Sequence, residues 1–481
     1  MRKFLIPLVV TTCLATPLGA ATLREALNQT YQSNPTLTGQ RAQLRTLDEQ
    51  VAVARALGRP QVSGVVGVNQ DLLTTRQAAG RNFTAGVDVS YPLFDAGRVR
   101  NSIRAADERV LAGRATLRAV EGDLFTETVA AYMDVIRDRS IVELNRNQVR
   151  VLQTNVEATR DRFEVGDLTR TDVAQSEARL ALARSQLASA EGTLTGSEEN
   201  YQRVVGTRPD QLQPPPPLPD LPDSPDEAVA VALRDNPDLI SIAAQSRAAG
   251  LDVRIARADR LPTVSAVGSG RYLNNLGTAD EAAGAPNGTI DNVSGTTGVG
   301  VTARVPLYQG GLVGAQTRQA QARQAQFIEQ GIAVERSVIA QTRAAFATYR
   351  ASQDAVRSNE VAVSANTLAL EGVRLENSVG TRTILDVLNA EQELLNSQVA
   401  LVSARRNEYV AGFNLLNAIG RAEVQDLGLD GGPLYDPVAN YNRVSRRGSD
   451  WRDDPVPQPV ATRTRPAGLQ SEPLPEPTVP R

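Results

Sequence analysis

Two segments, Val165-Gly-Asp-Leu-Thr-Arg-Thr-Asp-Val173 and Val379-Gly-Thr-Arg-Thr-Ile-Leu-Asp-Val387, repeat one pattern 214 positions apart. Glycine permits the left-handed conformation that commonly ends a helix. The threonine three positions later, Thr169 or Thr383, is a preferred N-cap for a returning helix. Each segment therefore predicts a tight reversal between two helices.

A proline-free stretch precedes each turn, from Gly97 to Gly166 and from Gly311 to Gly380. As a helix, each stretch would be roughly 100 Å long at 1.5 Å per residue. Apolar residues recur in both at intervals of seven, which is typical of coiled-coil packing and not of a globular core. The first series is Ile103, Val110, Leu117, Leu124, then Val135, Val142, Val149, Val156 and Phe163; the second is Val313, Ala320, Phe327, Val334, then Val356, Val363 and Leu370.

Both turns belong to an internal duplication. Asn34-Pro35 recurs as Asn236-Pro237, displaced by 202, and Pro92-Leu93 recurs as Pro306-Leu307, displaced by 214. A near-constant displacement over so many residues indicates two repeats of one plan, with a 12-residue insertion between positions 262 and 300. Helices are expected to open the repeats, because each begins with a capping-box pattern: Thr22 with Glu25, and Ser224 with Glu227.

Alternating apolar and polar residues between the opening helix and the long helix predict two strands in each repeat, of about ten residues each. The clearest run is Phe83 to Tyr91, and the intervening loops at 72–81 and 274–297 are rich in small and polar residues, which is typical of transmembrane barrels. A lipid-exposed sheet must close, and a single barrel needs about eight strands. Four strands therefore require further copies of the chain. The alternative is a periplasmic coiled coil with two soluble hairpins.

The N-terminus has the layout of a secretory signal peptide, with Arg2-Lys3, an apolar run from Phe4 to Leu14 and a small-residue end at Gly19-Ala-Ala21. That apolar run is short of the roughly 20 residues of a spanning helix. Cleavage near Thr22 is therefore predicted. It would remove Cys13, the only cysteine.

The predicted mature chain has neither histidine nor cysteine, which excludes thiol and imidazole nucleophiles, Ser-His-Asp triads and nearly every zinc arrangement. Its net charge is about −5, and no basic block indicates nucleic-acid binding. Neither a calcium loop nor a phosphate-binding glycine loop is visible. An enzyme using carboxylate chemistry stays open as an alternative.

The second turn, Ser378-Val-Gly-Thr-Arg-Thr-Ile-Leu-Asp-Val-Leu-Asn-Ala390, resembles the periplasmic tip motif of the TolC family of outer-membrane efflux and type I secretion channel proteins. The first turn resembles the partner tip, and the resemblance extends from Thr22 to about Gly420. It implies a mainly α fold with a transmembrane β part: a TolC-like trimeric channel-tunnel with internal duplication. In it, three chains of four strands each share a 12-stranded β-barrel, which continues as a long coiled-coil α-helical barrel.

The expected organisation has five parts. They are a signal peptide at 1–21; a first repeat at 22–206, with a hairpin at about 60–92 and a helical tip near 166; a Pro-rich connector at 207–223; a second repeat at 224–420, with a hairpin at about 262–306 and a tip near 380; and a largely disordered C-terminal extension at 421–481. Within this extension, the run from Leu434 to Tyr441 is expected to pack on the outside of the helical barrel near its middle, and disorder is expected at least beyond Asp454.

The resemblance implies an outer-membrane channel subunit of a tripartite export system, with its helical part in the periplasm. Such a subunit is a passive, tip-gated conduit for type I protein secretion, multidrug efflux or both, and not an enzyme. Metal export shares the architecture, but the absence of histidine gives no sign of it. The implied partners are two further copies, a periplasmic adaptor (membrane fusion) protein, an inner-membrane ABC or RND transporter, and outer-membrane lipid. Neither a cofactor, a metal nor nucleic acid is expected.

In the family, hydrogen bonds and ion pairs between neighbouring hairpins hold the tip shut. The resemblance implies that Arg382 contacts Thr171 and Asp172, and that Asp386 forms a ring of three carboxylates in the aperture. Like charges crowded in a narrow pore attract cations and resist closer approach.

Two positions depart from the family pattern. Asn389 stands where a second aspartate is often found, and Asn377 stands where a gating tyrosine is found in the best-known member. These departures predict a weaker closed-state lock and lower cation affinity. The turns themselves are the implied adaptor-docking surface, with Gly166, Leu168, Thr169, Gly380 and Thr381.

Overall fold

The structure is a computed structural model that describes residues 22–70, 80–278, 291–428, 434–461 and 463–464. The predicted signal peptide, most of both strand-connecting loops and the last part of the C-terminal extension lie outside the described residues.

Each repeat consists of two short helices, two strands and two long helices in the same order. The first contains α1 (Leu23–Ser33), α2 (Pro35–Ala56), β1 (Gln61–Gln70), β2 (Arg81–Phe94), α3 (Arg98–Glu164) and α4 (Arg170–Val205). The second contains α5 (Pro225–Asp235), α6 (Pro237–Ala258), β3 (Thr263–Asn274), β4 (Val293–Arg304), α7 (Leu312–Ser378) and α8 (Ile384–Ala418). A short α9 (Ala439–Val444) follows. The predicted fold class, mainly α with a small β part and an internal duplication, is confirmed.

The opening helices of the two repeats are capped differently. Thr22 and Glu25 form the full capping box, in which each side chain accepts from the other's backbone N–H. Ser224 accepts from the Glu227 N–H, but the Glu227 carboxylate accepts from the N–H of Asp223 instead of Ser224. The second pattern is therefore only half of a capping box.

The four strands form one antiparallel sheet in the order β1-β2-β3-β4. The strands extend into the loops predicted from sequence, since Arg81 belongs to β2 and Asn274 to β3. Directly opposite residues share a face of the sheet, and Val62 lies opposite Val89 while Val68 lies opposite Phe83. The register therefore collects most of the large apolar side chains of the strands on one face, with Val65, Val267 and Leu273 on the other. The apolar face carries Val62, Val66, Val68, Phe83, Val87, Val89, Tyr91, Val264, Tyr272, Val299 and Val301.

The core of the chain lies below the sheet, around the first half of α3. This helix packs against α1, α2, α4, α6 and α8, and it buries 23 residues, among them Phe125 and Tyr132. By contrast, α7 has the same length of 67 residues but buries only six. The long helices thus differ in how much of their surface the chain itself covers.

The connector between the repeats has little regular structure, as expected for its run of prolines. It nevertheless lies against the helices, because backbone carbonyls accept from neighbouring side chains. Tyr132 donates to the Gln213 carbonyl at 2.7 Å and Tyr409 donates to the Pro216 carbonyl at 3.0 Å. The connector is therefore held across α3 and α8.

The C-terminal extension, predicted to be largely disordered, contains a packed segment at 434–454. The Tyr435 N–H donates to the Tyr31 hydroxyl, and Asn440 donates to the buried carboxylate of Asp48. The guanidinium of Arg41 lies over the rings of both Tyr31 and Tyr435. The expected packing of the run from Leu434 to Tyr441 on the helices is therefore observed. Sequence periodicity does not identify α1 and α2 as its partners, because the contacts depend on single side chains.

Candidate functional site at the helical tips

The two tips have nearly the same backbone geometry. Gly166 and Gly380 have φ of +82° and +81°, and a Cβ added to either glycine would meet nothing within 4 Å. After each glycine, the next backbone N–H reaches back across the turn, from Asp167 to the Arg162 carbonyl and from Thr381 to the Glu376 carbonyl. The left-handed backbone angle favours glycine at both positions, and the space around each glycine is open.

Asp172 and Asp386 occupy the same position in their tips, the third residue of the returning helix. In each tip the aspartate accepts from the side chain and the backbone N–H of its capping threonine, Thr169 or Thr383, through Oδ2. Hydrogen bonds from the threonine side chain, followed by those from its backbone, lower the pKa of both carboxyls. Both aspartates are thus held as anions.

The implied contact of Arg382 with Thr171 and Asp172 is not made among the described residues of one chain. Arg382 instead pairs with Glu376 across its own turn, with Nε 2.7 Å from Oε2. That hydrogen bond raises the pKa of Arg382. The reason is local: Glu376 and Arg382 face each other where the helix reverses. A contact of Arg382 with Asp172 would have to join two subunits.

The two asparagines have separate roles within the chain. Asn377 donates from Nδ2 to the Arg382 carbonyl at 2.8 Å, which closes the second turn. Asn389 accepts from Arg179 of α4 at 2.7 Å, so it links the two helical hairpins. The substitution of a carboxylate by an amide at 389 thus still leaves an acceptor for an arginine.

Glu391 is a second link between the hairpins and was not singled out as a site residue from sequence. Its side chain is 2% exposed, and it pairs with Arg374 of α7 at 3.0 Å. Both carboxylate oxygens also accept from Asn155 of α3 at 3.1 Å. The equivalent pair in the first hairpin, Arg160 with Glu177, is exposed to solvent.

A sequence signal for this link did exist. The pair Arg160 and Glu177 recurs at Arg374 and Glu391 with the same displacement of 214. The recurrence identifies an ion pair within each hairpin. It does not reveal that only the second pair reaches the other hairpin, because Asn155 lies 236 residues away in sequence.

The described part of one chain contains no cluster of ligand side chains for a metal ion. Within it, no three His, Cys, Asp or Glu side chains lie close enough together to hold a metal ion. None of its helices combines the length and the apolar character needed to cross a membrane. The ion pairs and helix caps of the tips lie within each hairpin, and the hydrogen bonds of Arg179 with Asn389 and of Asn155 with Glu391 join the two hairpins.

Comparisons with known proteins agree with this architecture. Residues 26–207 and 228–421 match the family described as Outer membrane efflux protein. The chain is 35% identical over 425 residues to the outer membrane efflux protein BepC of Brucella suis, covering 88% of this chain and 90% of the relative. It is 28% identical over 435 residues to the outer membrane protein TolC of Vibrio cholerae, covering 88% and 97%. The CmeC outer membrane channel of Campylobacter jejuni has a similar fold, with a TM-score of 0.73 at 15% identity over 88% of this chain and 89% of that one.

Proposed function

Because this chain belongs to the outer membrane efflux protein family, we propose that three copies close one barrel in the outer membrane and one helical tunnel below it. The chain is an outer-membrane channel subunit of a tripartite export system, and its helical part lies in the periplasm. Membership of this family establishes the channel function. The number of copies, the gate and the docking residues are proposals.

The four-stranded sheet of the described residues, with its exposed apolar face and unpaired edges, is the main support for this proposal. Its apolar face is exposed in the single chain, and no strand of the described part pairs with the outer edge of β1 or β4. Unpaired backbone groups cannot face lipid, so a sheet with this face must continue into another. Phe83 packs edge-to-face with Tyr272 at the far end of the face, and Tyr91 lies at the end near the helices. Aromatic residues at both ends are typical of membrane barrels.

Reconstitution into a planar lipid bilayer tests the function. The purified mature protein should insert as discrete conducting units, and conductance should appear in steps of constant size. If the protein stays in the aqueous phase, or disturbs the bilayer without discrete steps, the channel function is excluded.

For the gate, we propose that Arg382 of one subunit contacts Thr171 and Asp172 of a neighbour when the tip is closed. The support is the position of these residues at equivalent tips and the exposure of both Arg382 and Thr171. Arg382→Ser combined with Asp172→Ala should raise single-channel conductance. Conductance equal to the parent would exclude these residues from the gate.

Glu376→Gln is the matched control for this experiment, because it breaks the pair that Arg382 makes within its own chain. If Arg382 acts on a neighbour, Glu376→Gln leaves the closed tip intact and conductance stays low. If Glu376→Gln opens the channel as much as the double variant does, the role of Arg382 is to shape its own turn.

We also propose that Asp386 supplies a ring of three carboxylates to the aperture. Its Oδ2 is used in the helix cap and the carboxyl is held ionised, which leaves negative charge at the mouth. Asp386→Asn keeps a capping oxygen but removes the charge, so block by multivalent cations should weaken. Asp167→Asn removes a charge from the other tip at a residue outside the proposed gate, and it should leave the block unchanged. Equal block in both variants would place the cation site elsewhere.

The turns at 166–169 and 380–381 are proposed as the docking surface for a periplasmic adaptor, with Gly166, Leu168, Thr169, Gly380 and Thr381. The exposed glycines favour close approach by another backbone.

An ABC or RND transporter of the inner membrane is the proposed energy source, and the channel itself carries out no catalysis. Related proteins include efflux and protease secretion proteins, so drugs and proteins are both proposed cargo. The division into a signal peptide at 1–21 and repeats at 22–206 and 224–420 is likewise a proposal.

A further inference from the structure

The C-terminal segment ends its packed part in a closed loop that carries Trp451. This residue is the only tryptophan of the chain, and it is 97% exposed. Tryptophan has a large apolar surface with one polar N–H, and burying that surface is strongly favourable. An exposed tryptophan on an ordered loop therefore indicates a surface that something else covers.

Ion pairs and backbone contacts fix this loop in place. Asp454 accepts from Arg443 at 2.8 Å and from Arg447 at 2.9 Å, which closes residues 447–454 into a ring. Arg59 donates to the Arg447 carbonyl at 2.5 Å, and this ties the loop to the end of α2. Trp451 is thus presented by a clamped loop and not by a free tail.

The loop lies at the level where β1 begins. Beside the contact with Arg59, the loop and the chain between α2 and β1 enclose a cavity of about 730 Å³, whose lining includes Arg59, Val62, Arg447 and Asp454. Val62 is the first residue of β1 on the apolar face of the sheet. Because α2 joins β1 from the helical side, this level corresponds to the periplasmic boundary of the membrane in the barrel proposed above.

We propose that the loop 447–454 rests on the periplasmic leaflet of the outer membrane, with Trp451 inserted among the phospholipid headgroups. The proposal rests on the function proposed above. Tryptophan is enriched at membrane interfaces, where its ring is apolar and its N–H is hydrated. The exposed guanidinium groups of Arg446 and Arg452 form no ion pair within the described residues, and phosphate is a favourable partner for them.

Lipid is favoured over a protein partner because of the position of the loop. It adjoins a residue of the lipid-facing side of the sheet, at the depth where aromatic girdles of membrane barrels are found. A soluble partner would be expected at the tips, at the opposite end of the long helices. A neighbouring copy would cover the edges of β1 and β4 before it reached this loop.

The fluorescence of Trp451 tests the proposal without any label. The full mature protein is reconstituted in phosphatidylcholine vesicles, with and without lipid brominated on its acyl chains, and Trp451 is the only tryptophan that emits. We expect emission at shorter wavelength than that of free tryptophan, quenching by brominated lipid and protection from aqueous acrylamide.

Two variants in a Trp451→Phe background calibrate the result. Val87→Trp places the reporter on the apolar face of an internal strand, where the opposite residues Gly64 and Gly270 leave room for it. Val165→Trp places it at a helical tip, in water. Quenching of Trp451 by brominated lipid should lie between these two.

Each outcome decides a separate point. If Val87→Trp is quenched but Trp451 is quenched no more than Val165→Trp, the loop does not touch lipid and the inference is wrong while the channel function stands. If Trp451 is protected from acrylamide and also from brominated lipid, protein covers it and the inference is again wrong. If Val87→Trp itself escapes quenching, the proposed function fails.

Discussion

The helices α3 and α7 have the same length and follow equivalent strands, yet the chain covers them very differently. It buries 23 residues of α3 and six of α7. The seven-residue pattern is present in both, but most of its members on α3 are buried and most on α7 are not. Within the chain α7 packs against α5, α6 and α8, but this packing leaves all but six of its 67 residues at least partly exposed. The difference indicates that α7 packs on something outside its chain.

The exposed side of α7 shows where that packing occurs. Val361, Leu368 and Leu375 are 71%, 71% and 64% exposed and are spaced by seven residues, as in a coiled-coil seam. At the equivalent positions α3 carries three exposed polar residues, Asn147, Thr154 and Asp161. The equivalent positions are thus apolar on α7, where a neighbouring chain is expected to pack, and polar on α3, where no neighbouring chain is expected.

The largest effect is expected from charges on this seam. Val361→Asp combined with Leu368→Asp should prevent assembly, because each unpaired carboxylate buried between subunits costs several kcal/mol. Asn147→Asp combined with Thr154→Asp, at the equivalent positions of α3, should assemble normally. Light scattering of the detergent-solubilised protein measures the difference. Normal assembly of the α7 variant would show that the seam faces water.

A large effect is also expected in the core around α3. Phe125 is fully buried and packs against Tyr31, so Phe125→Ala should lower the unfolding free energy by about 3–5 kcal/mol. Ile339→Ala, at the equivalent and only half-buried position of α7, should lower it less. Urea unfolding followed by circular dichroism measures both. A larger loss of unfolding free energy for Ile339→Ala than for Phe125→Ala would contradict the conclusion that the chain packs α3 more tightly than α7.

The helices α3 and α7 also differ in a glutamate that is buried on α3 and makes the folding stability depend on pH. Burial raises the pKa of Glu121 on α3 from 4.5 to about 7. The folded chain therefore keeps a proton that the unfolded chain loses, and stability falls as the pH rises from about 4.5 to about 7. Glu121→Gln should abolish this decline and stabilise the protein above pH 7 by up to about 3 kcal/mol, at 1.36 kcal/mol per pKa unit.

Glu335, the equivalent residue of α7, is exposed and provides the control. Glu335→Gln should leave the dependence of the unfolding midpoint on pH unchanged. The glutamine at 121 still offers an oxygen to the Val424 N–H, so the backbone contact is kept. A decline of the same steepness in Glu121→Gln would assign it to another group.

The smallest effect is expected at the link between the hairpins. Glu391→Gln removes the charge that holds Arg374 and Asn155 and should cost about 1–3 kcal/mol. Glu177→Gln breaks the equivalent exposed pair and should cost about 0.2–1 kcal/mol. Thermal unfolding of both variants tests this order, and equal losses would mean that the link to α3 contributes nothing.

The sequence was sufficient for features that depend on local pattern. The seven-residue period predicts the long helices, the glycines at 166 and 380 predict their reversals, and alternation predicts the strands. Contacts between distant residues were not accessible in this way. The link from Asn155 to Glu391 and the docking of Tyr435 on Tyr31 join positions hundreds of residues apart. The family resemblance implies that Arg382 contacts a neighbouring hairpin, and only the geometry of the turn reveals its pair with Glu376.

The number of chains in the particle is the most direct test of the account. The described residues of one chain supply four strands, two unpaired sheet edges and a long helix that is mostly uncovered. Native mass spectrometry of the protein in mild detergent should give the mass of three mature chains, with no stable species of one chain. A single chain that keeps its full helical content would contradict the account.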